Sequence, residues 1–493
     1  MTKSSIAVNR FGLGARPGAP PVRDGEGWLL GQMTAFVMRP AAIAAAPDSA
    51  AVAADLADYQ QMQRAARAAA APGDAGAGMK TAGAANAMTG APARVRPPVD
   101  DATRAARQMA RRQGRDDYGS AVAARTIVAL TTETPFVERL VHFWANHFAV
   151  SADKLTVVGL AGTMEFEAIR PHVLGRFGDM LAAVERHPAM LLYLDQAVSV
   201  GPNSALGARV AARGVRKVGL NENLAREILE LHTLGVRTGY TQADVTEFAR
   251  AMTGWTVAGL GRGGRDGGPD GGAPGSFRFA AAVHEPGDRM IVGKRYGAGG
   301  EDQAQAVLRD LAVNPATATH IATKLARHFA GDVPPPAMVA RLRTAFLKSG
   351  GDLPTVYRAL IASPEAWVEA PVKFKTPWEW SISSMRALGQ TSVQPGVITG
   401  LMNQLGQPVW KPGQPVGYDD IAASWAGPDA VMRRVEAAER FATRAGTAID
   451  ARALATQLFP AAVSDATTQA LARAESPGQA LALLLVAPES MRR

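Results

Sequence analysis

Residues 221–255 read NENLAREILELHTLGVRTGYTQADVTEFARAMTGW, and this stretch decides the fold of the central part of the chain. Drawn on a helical wheel, its first turns separate an apolar side from a polar side. The apolar side comprises Leu224, Ile228, Leu229 and Leu231, and the polar side comprises Asn223, Arg226, Glu227 and Glu230. Gly235 supplies a helix stop, and Thr241 to Asp244 form a capping box for a second helix that runs to about Met252. The stretch therefore predicts a helix hairpin.

Three titratable side chains are predicted to point toward apolar surroundings. His232 projects into the apolar side of the first helix of the hairpin, and His147 does the same in a helix predicted over residues 136–148. Asp195 falls among leucines in the apolar segment that follows Pro188. Buried groups of this kind need a partner or must stay neutral. We therefore expect the three side chains to contact one another or a common ligand.

Two polar stripes accompany these inward groups. Glu138, His142 and Asn146 are spaced by four residues, so they share one side of the helix over residues 136–148. Arg226 and Glu230 are also four residues apart, and their simplest interpretation is a surface ion pair. If that side lines a cleft instead, Arg226 would bind an anion.

The inward groups predict a metal site or an acid–base site where the helices of the central region converge. Imidazole nitrogens and carboxylate oxygens are ligands that zinc, iron and manganese accept, so a divalent metal ion is the candidate cofactor. The candidate metal ligands are His147, Asp195 and His232, and the candidate catalytic residues are His147, Asp195, Arg226, Glu227, Glu230 and His232, with His284 as a further candidate nearby. The alternative is a buried structural network of hydrogen bonds, because no pair has the spacing of a metalloprotease motif.

Several ordered motifs resemble those of the bacterial domain-of-unknown-function 1800 family. The motifs are NRFGLGARPG at Asn9 to Gly18, FWANHFAVS at Phe143 to Ser151, HPAMLLYLDQ at His187 to Gln196, and the run over residues 221–255. They are spread over much of the chain, so the resemblance is specific. It implies no particular chemistry, since the family is named for its lack of an assigned activity.

The resemblance implies a partner. Members of the family are typically encoded beside a protein of the domain-of-unknown-function 1501 family, whose members commonly carry a twin-arginine export signal. A non-catalytic partner or scaffold of that exported protein is therefore the alternative to an enzyme. The first residues lack the apolar core of a secretory signal, so the sequence predicts a cytoplasmic protein, or a periplasmic one if the two proteins are exported together.

The composition is that of a soluble globular protein. Of the 493 residues, 47% are hydrophobic and 20% are charged, and apolar runs such as Leu481 to Ala487 are far shorter than the roughly 20 residues of a membrane-spanning helix. The absence of cysteine excludes disulfides, thiolate catalysis and iron–sulfur clusters. No nucleophile elbow, phosphate-binding loop or deaminase motif occurs.

The net charge of +9 does not by itself indicate nucleic-acid binding. A helical stripe is formed by Arg104, Arg107, Arg111 and Arg115, with Arg112 beside it, but no aromatic residues interleave with them. An ordinary solvated helix face is the favoured interpretation. Tryptophans 144, 255, 378 and 380 would suit a carbohydrate cleft, although isolated tryptophans more often anchor a core.

The predicted fold is all-α, a large multi-helical body with one small inserted β-hairpin. The hairpin is expected within Phe277 to Tyr296, with its turn at Glu285 to Asp288. The predicted regions are an N-terminal segment with helices (1–60), a flexible insertion rich in Ala, Gly and Pro (61–100), a central helical lobe (101–255), a glycine-rich loop with the hairpin (256–300), a second helical lobe (301–390), and a Pro- and Gly-rich strap followed by C-terminal helices (391–493).

Overall fold

The computed structural model describes residues 2–69, 101–213, 219–260 and 272–493. The predicted all-α class is confirmed, because helices dominate and the strands are short. Residues 61–69 of the predicted insertion are helical, and residues 70–100 lie outside the described part of the chain.

The α-helices of the described residues are numbered in chain order. They are α1 Lys3–Ile6, α2 Gly25–Ala35, α3 Ala41–Ala44, α4 Ser49–Ala69, α5 Asp101–Thr131, α6 Pro135–His147, α7 Ala161–Met164, α8 Phe177–Glu185, α9 Pro188–Tyr193, α10 Ala205–Ala212, α11 Asn223–Glu227, α12 Gln242–Met252, α13 Glu301–Ala312, α14 Pro315–Ala330, α15 Pro336–Ser349, α16 Leu353–Ile361, α17 Pro377–Ala387, α18 Pro395–Gln404, α19 Pro428–Ala445, α20 Ala451–Leu458, α21 Asp465–Ala472, α22 Pro477–Val486 and α23 Pro488–Met491. Wider π-helical turns occur at Ala7–Phe11, Glu165–Ile169 and Ile228–His232, and 3₁₀ turns at Arg170–His172, Gln196–Val198, Ala281–Val283, Pro364–Trp367 and Ala422–Ser424.

The predicted helix hairpin over residues 221–255 is confirmed. Its first helix is α11, which continues without a break into the π-helical turn that ends at His232. Its second helix is α12, and the predicted capping box is formed, with Thr241 and Asp244 each accepting a hydrogen bond from the other's backbone N–H. These reciprocal bonds satisfy two donors that the first turn would otherwise leave without a partner.

The strands pair differently from the prediction. Strand β1 (Trp255–Val257) pairs antiparallel with β2 (Phe277–Phe279), whereas β3 (Arg289–Ile291) pairs antiparallel with β4 (Lys294–Tyr296). A small hairpin exists, but the expected pairing across residues 285–288 is wrong. The chain turns instead at Val292 and Gly293, which both have positive φ, as the favoured two-residue hairpin turn requires.

One large apolar core joins both predicted helical lobes. It extends in sequence from Ile6 to Met491 and includes side chains of α6, α14 and α17, while α20, α21 and α22 pack around a second, smaller core. Helix α6 is buried along most of its length, and the indole nitrogen of Trp144 donates to the hydroxyl of Tyr357 at 2.7 Å. Within the described ranges, no helix combines the length and apolar character needed to cross a membrane.

Ionic contacts are also buried beside this core. The Arg170 guanidinium binds both carboxylate oxygens of Glu138 at 2.7 and 2.8 Å, and both side chains are 1% exposed. The remaining nitrogens of Arg170 donate to the carbonyl groups of Val37 and Met38. Buried carboxylates need such compensation, because the loss of hydration is otherwise larger than the attraction gained.

Replacing Arg170 by alanine is expected to reduce the free energy of unfolding by about 3–5 kcal/mol, because Glu138 would be left buried and uncompensated. Chemical denaturation followed by circular dichroism measures the change. The matched control is Arg112→Ala, which removes an exposed pair with Asp116 at 3.9 Å and should change stability by no more than about 0.5 kcal/mol. A loss below about 1 kcal/mol for Arg170→Ala would contradict this account.

Candidate functional site

A cavity of about 400 Å³ lies between α6, α14, the start of α17 and the segment over residues 407–421. Its volume falls within the roughly 300–1,000 Å³ of typical ligand pockets. Helix α6 contributes Arg139, His142, Phe143 and Asn146, and α14 contributes Lys324, Arg327 and His328. Both sets have the three- and four-residue spacing of a single helix face, so each helix presents one polar stripe to the cavity.

Residues 407–421 belong to the predicted Pro- and Gly-rich strap, and from here on they alone are called the strap. They form one wall of the cavity and have little regular structure. Side chains of neighbouring helices satisfy its backbone groups. Asn146 donates to the carbonyl of Tyr418 and accepts from its N–H, both at 2.8 Å, and the Tyr118 hydroxyl donates to the carbonyl of Val409 at 2.7 Å. The indole nitrogen of Trp410 donates to Glu165 at 2.9 Å. The strap is therefore attached to the helices by specific hydrogen bonds.

His328 and Asp420 form a histidine–carboxylate pair in the cavity wall. The Nδ1 atom of His328 lies 2.8 Å from Oδ2 of Asp420. Burial alone would raise the pKa of Asp420, but the contacts with His328 and Lys373 outweigh burial and lower the pKa to about 2. The carboxylate is therefore ionised and accepts the Nδ1 proton. Burial lowers the pKa of His328, so its ring is neutral near pH 7 and Nε2 carries the lone pair.

The Nε2 atom of His328 is buried, and in the described part of the chain no protein group bonds to it. A neutral imidazole whose other nitrogen is fixed by a carboxylate has the arrangement of a general base. This pair is the strongest candidate for chemistry in the cavity.

His142 is also held in one tautomer. The indole nitrogen of Trp378 donates to Nδ1 of His142 at 3.2 Å, which places the proton of the neutral ring on Nε2. Burial lowers the pKa of His142 well below its usual value, and nearby arginines act in the same direction. His142 is therefore a neutral ring in the cavity wall, and its buried Nε2 lies 3.6 Å from the Glu138 carboxylate.

Glu379 fixes the cavity wall at the start of α17. It is the third residue of the helix, where it completes a capping box with Thr376. It also forms ion pairs with Arg139 of α6 and with Arg493, whose Nη2 lies 2.8 Å away. Burial would raise the pKa of Glu379, but Arg493 and Arg139 hold it well below its usual value. Three distant parts of the chain thus meet at one carboxylate.

Three cations in the cavity wall, Lys324, Arg125 and Arg327, retain unused donors among the described residues, and Arg327 uses only Nε, which donates to the backbone carbonyl of Asp332 at 3.4 Å. No hydrogen bond or ion pair to Lys324 occurs among the described residues, and burial lowers its pKa to about 8. Arg125 uses Nε to bind Glu165, and its Cζ atom lies 4.3 Å from the ring centre of Trp378 and 5.4 Å from that of Trp410. Its terminal nitrogens have no protein acceptor within the described ranges.

The predicted inward histidines lie close together, outside this cavity. The ring centres of His147 and His232 are 6.2 Å apart, and Nε2 of His147 donates to the backbone carbonyl of His232 at 3.1 Å. Nδ1 of His232 lies 2.7 Å from the buried carboxylate of Glu185, and His320 lies 5.9 Å from His147 between ring centres. Burial lowers the pKa of His147 well below its usual value.

The other predicted site residues do not join this cluster. The Asp195 side chain is 55% exposed, because its backbone turns in the left-handed conformation and directs the carboxylate to Lys154, 2.9 Å away. The expectation that Asp195 is buried is therefore wrong. Arg226 lies between Glu222 and Glu230, at 3.3 and 3.6 Å, as the surface ion-pair interpretation requires. Burial raises the pKa of Glu227.

His284 contacts a different part of the chain. Its Nδ1 donates to the backbone carbonyl of Thr253 at 2.7 Å, beside the end of α12. It therefore supports the turn between α12 and β1.

Sequence reasoning missed the histidine–carboxylate pair in the cavity. His328 and Asp420 are 92 residues apart, and Asp420 lies in a segment without periodicity. A usable signal was present in α14, where Lys324, Arg327 and His328 form a polar stripe on an otherwise buried helix. The predicted stripe of Glu138, His142 and Asn146 was the other signal, since His142 and Asn146 line the cavity.

The comparisons with known proteins identify a family. The sequence model of the family described as "Protein of unknown function (DUF1800)" matches residues 6–492, which is nearly the whole chain. The chain therefore belongs to the DUF1800 family. No curated protein and no solved structure matches it.

Substitution of His147 or His232 distinguishes a hydrogen-bonded network from the predicted metal site. In the described ranges, no group of three or more histidine, aspartate or glutamate side chains is arranged to hold a metal ion. We expect His147→Ala and His232→Ala each to destabilise the protein by roughly 1–3 kcal/mol. Elemental analysis of the purified wild type should find no stoichiometric metal. Metal that is present in the wild type and absent from both variants, but retained by His172→Ala, would establish the metal site instead.

Proposed function

We propose that this member of the DUF1800 family is an enzyme that binds a small organic molecule in the cavity and accepts a proton from it at Nε2 of His328. The observation that carries the proposal is the unpartnered, buried Nε2 of a neutral histidine whose Nδ1 is bound to an ionised carboxylate. Such an atom can take up a proton without first losing another bond. In this role Asp420 fixes the tautomer and stabilises the imidazolium that forms.

The surroundings of the pair support acid–base chemistry. Lys373 is 1% exposed and forms ion pairs with Asp332 at 3.0 Å and with Asp420 at 3.2 Å, so the carboxylate that orients His328 is itself fixed. The terminal nitrogens of Arg125, which have no protein acceptor among the described residues, supply donors in the same cavity wall. A cavity that contains one base and such donors can remove a proton and bind the oxygen on which negative charge develops.

The predicted metal or acid–base site at His147 and His232 is the second candidate. The observation in its favour is that Nδ1 of His147, Nε2 of His232 and one carboxylate oxygen of Glu185 are buried without partners in the part of the chain that the structure describes. The cavity is the stronger candidate, because it offers space for a ligand.

A non-catalytic role beside a protein of the DUF1501 family is the alternative from the sequence. It stays a prediction, as does the choice between the cytoplasm and the periplasm. A scaffold has no need of a base with a free lone pair, so detection of proton exchange would separate the two roles.

Exchange of ligand protons in D₂O tests the proposed function. A suitable probe is 2-oxobutyrate, which carries acidic C–H bonds beside a carbonyl group, and proton NMR follows their replacement by deuterium. We expect the wild type to accelerate the exchange and His328→Gln to lose about 100-fold or more of that acceleration, as removal of a general base does. His172→Gln, a histidine outside the cavity wall, is the matched control.

The pH dependence provides a second readout. A base works only when it is unprotonated. Burial lowers the pKa of His328 from its ordinary value, and the charge of Arg493 lowers it further, whereas Asp420 opposes the shift. The accelerated rate should therefore be constant near pH 7 and fall as the pH is lowered and His328 becomes protonated. Exchange at the wild-type rate in His328→Gln, or no exchange by the wild type, would contradict the proposed function.

A further inference from the structure

The carboxylates of the cavity wall are mostly neutralised by the protein itself. Glu379 is bound by Arg139 and Arg493, and Asp420 is bound by His328 and Lys373. Asp332 accepts from Lys373 and from the N–H of Ala422. These carboxylates therefore have little capacity left to attract a cationic ligand.

The cations are less completely paired. The Lys324 ammonium has no hydrogen-bonding partner among the described residues, and the carboxylate that acts on it most strongly, that of Asp420, lies beyond ion-pair distance. Only the Nε atom of Arg125 binds Glu165, and its terminal nitrogens have no protein acceptor among the described residues. The unused hydrogen-bonding capacity of the wall is therefore that of positively charged donors.

The number of unpaired charges limits the charge of a suitable ligand. Arg125 has Glu165 as its counter-ion, whereas Lys324 and Arg327 have no carboxylate within ion-pair distance among the described residues, and Asp419 of the wall has no cation within that distance. These two cations and one carboxylate leave one positive charge without a counter-ion, so a monoanion would balance the wall, whereas a dianion would bring one uncompensated negative charge into a partly desolvated site. The paired terminal nitrogens of a guanidinium also match the two oxygens of a carboxylate.

The remaining wall is aromatic and apolar. It includes Phe143, Trp378, Trp410 and Tyr418, together with Val150 and Val409. Trp378 and Trp410 also flank the Arg125 guanidinium, so aromatic faces lie directly beside the charged donors. Planar apolar groups pack well against such faces.

We propose that the cavity binds a monocarboxylate joined to a planar apolar group, with the carboxylate held by Lys324 and the terminal nitrogens of Arg125. This inference rests on the proposed function and names its ligand class. The planar group packs between Phe143, Trp378 and the strap. The carboxylate end is recognised by charge, and the other end by shape and by exclusion of water.

Calorimetric titration of the full-length protein with three probes tests this assignment. The probes are benzoate, its neutral analogue benzamide, and phenyl phosphate. We expect benzoate to bind at least about tenfold more tightly than benzamide, which is the difference that one charge-assisted hydrogen bond makes. Phenyl phosphate should bind more weakly than benzoate, because its second charge has no counter-ion.

Substitution of Lys324 locates the binding site. Lys324→Met should weaken benzoate binding about tenfold or more and abolish the preference over benzamide, whereas Lys324→Arg, which keeps the charge, should retain a preference. Lys348→Met, which removes an exposed lysine of α15, is the matched control. Circular dichroism and the melting temperature establish that each variant is folded.

Three results would overturn the assignment. They are equal affinity of the wild type for benzoate and benzamide, wild-type affinity in Lys324→Met, and no binding of benzoate at millimolar concentration. Benzoate has no acidic C–H bond next to a carbonyl group, so its binding does not depend on proton transfer. A protein that binds benzoate through Lys324 but exchanges no proton of 2-oxobutyrate would disprove only the proposed function.

Discussion

The cavity wall depends on the burial of one carboxylate, that of Glu379. A buried carboxylate is stable only when cations and N–H groups replace its lost hydration. Glu379 obtains these from Arg139 on α6, from Arg493 beside the bridge between Phe374 and Arg492, and from the N–H of Thr376 at the start of α17. The requirement brings together parts of the chain more than 200 residues apart in sequence. The positions of α6 and α17 on the two sides of the cavity follow from it.

The same constraint explains why the cavity can be selective. Carboxylates that are already paired do not rearrange readily, because separating a buried pair leaves an uncompensated charge. The ion pairs of Glu379, Asp420 and Asp332 therefore form a fixed frame. Within this frame, Nε2 of His328, the Lys324 ammonium and the terminal nitrogens of Arg125 and Arg327 have unused bonding capacity among the described residues. The ion pairs hold the wall rigid, and the groups that are not fully bonded are the candidates for binding and catalysis.

Local patterns predicted the helices well, because the information lies within a few residues. The capping box at Thr241 and the helix predicted over residues 136–148, which is α6, are examples. Strand pairing failed, since three-residue strands carry almost no periodicity and β1 finds its partner across a long connection. The prediction that Asp195 is buried failed for a local reason. Its own left-handed backbone conformation turns the side chain away from the direction that a helical wheel predicts. His147 and His232 were correctly placed near each other, but Glu185 and His320, which complete their surroundings, lie on other helices.

The central claim is that Asp420 holds His328 as a neutral base with its lone pair on Nε2. Nitrogen-15 NMR of the histidine-labelled protein at pH 7 measures this directly, because protonated and unprotonated ring nitrogens have well-separated shifts and His328→Gln assigns the signal. The account predicts a neutral His328 with the proton on Nδ1. A neutral ring with the proton on Nε2, or a ring protonated on both nitrogens, would contradict it.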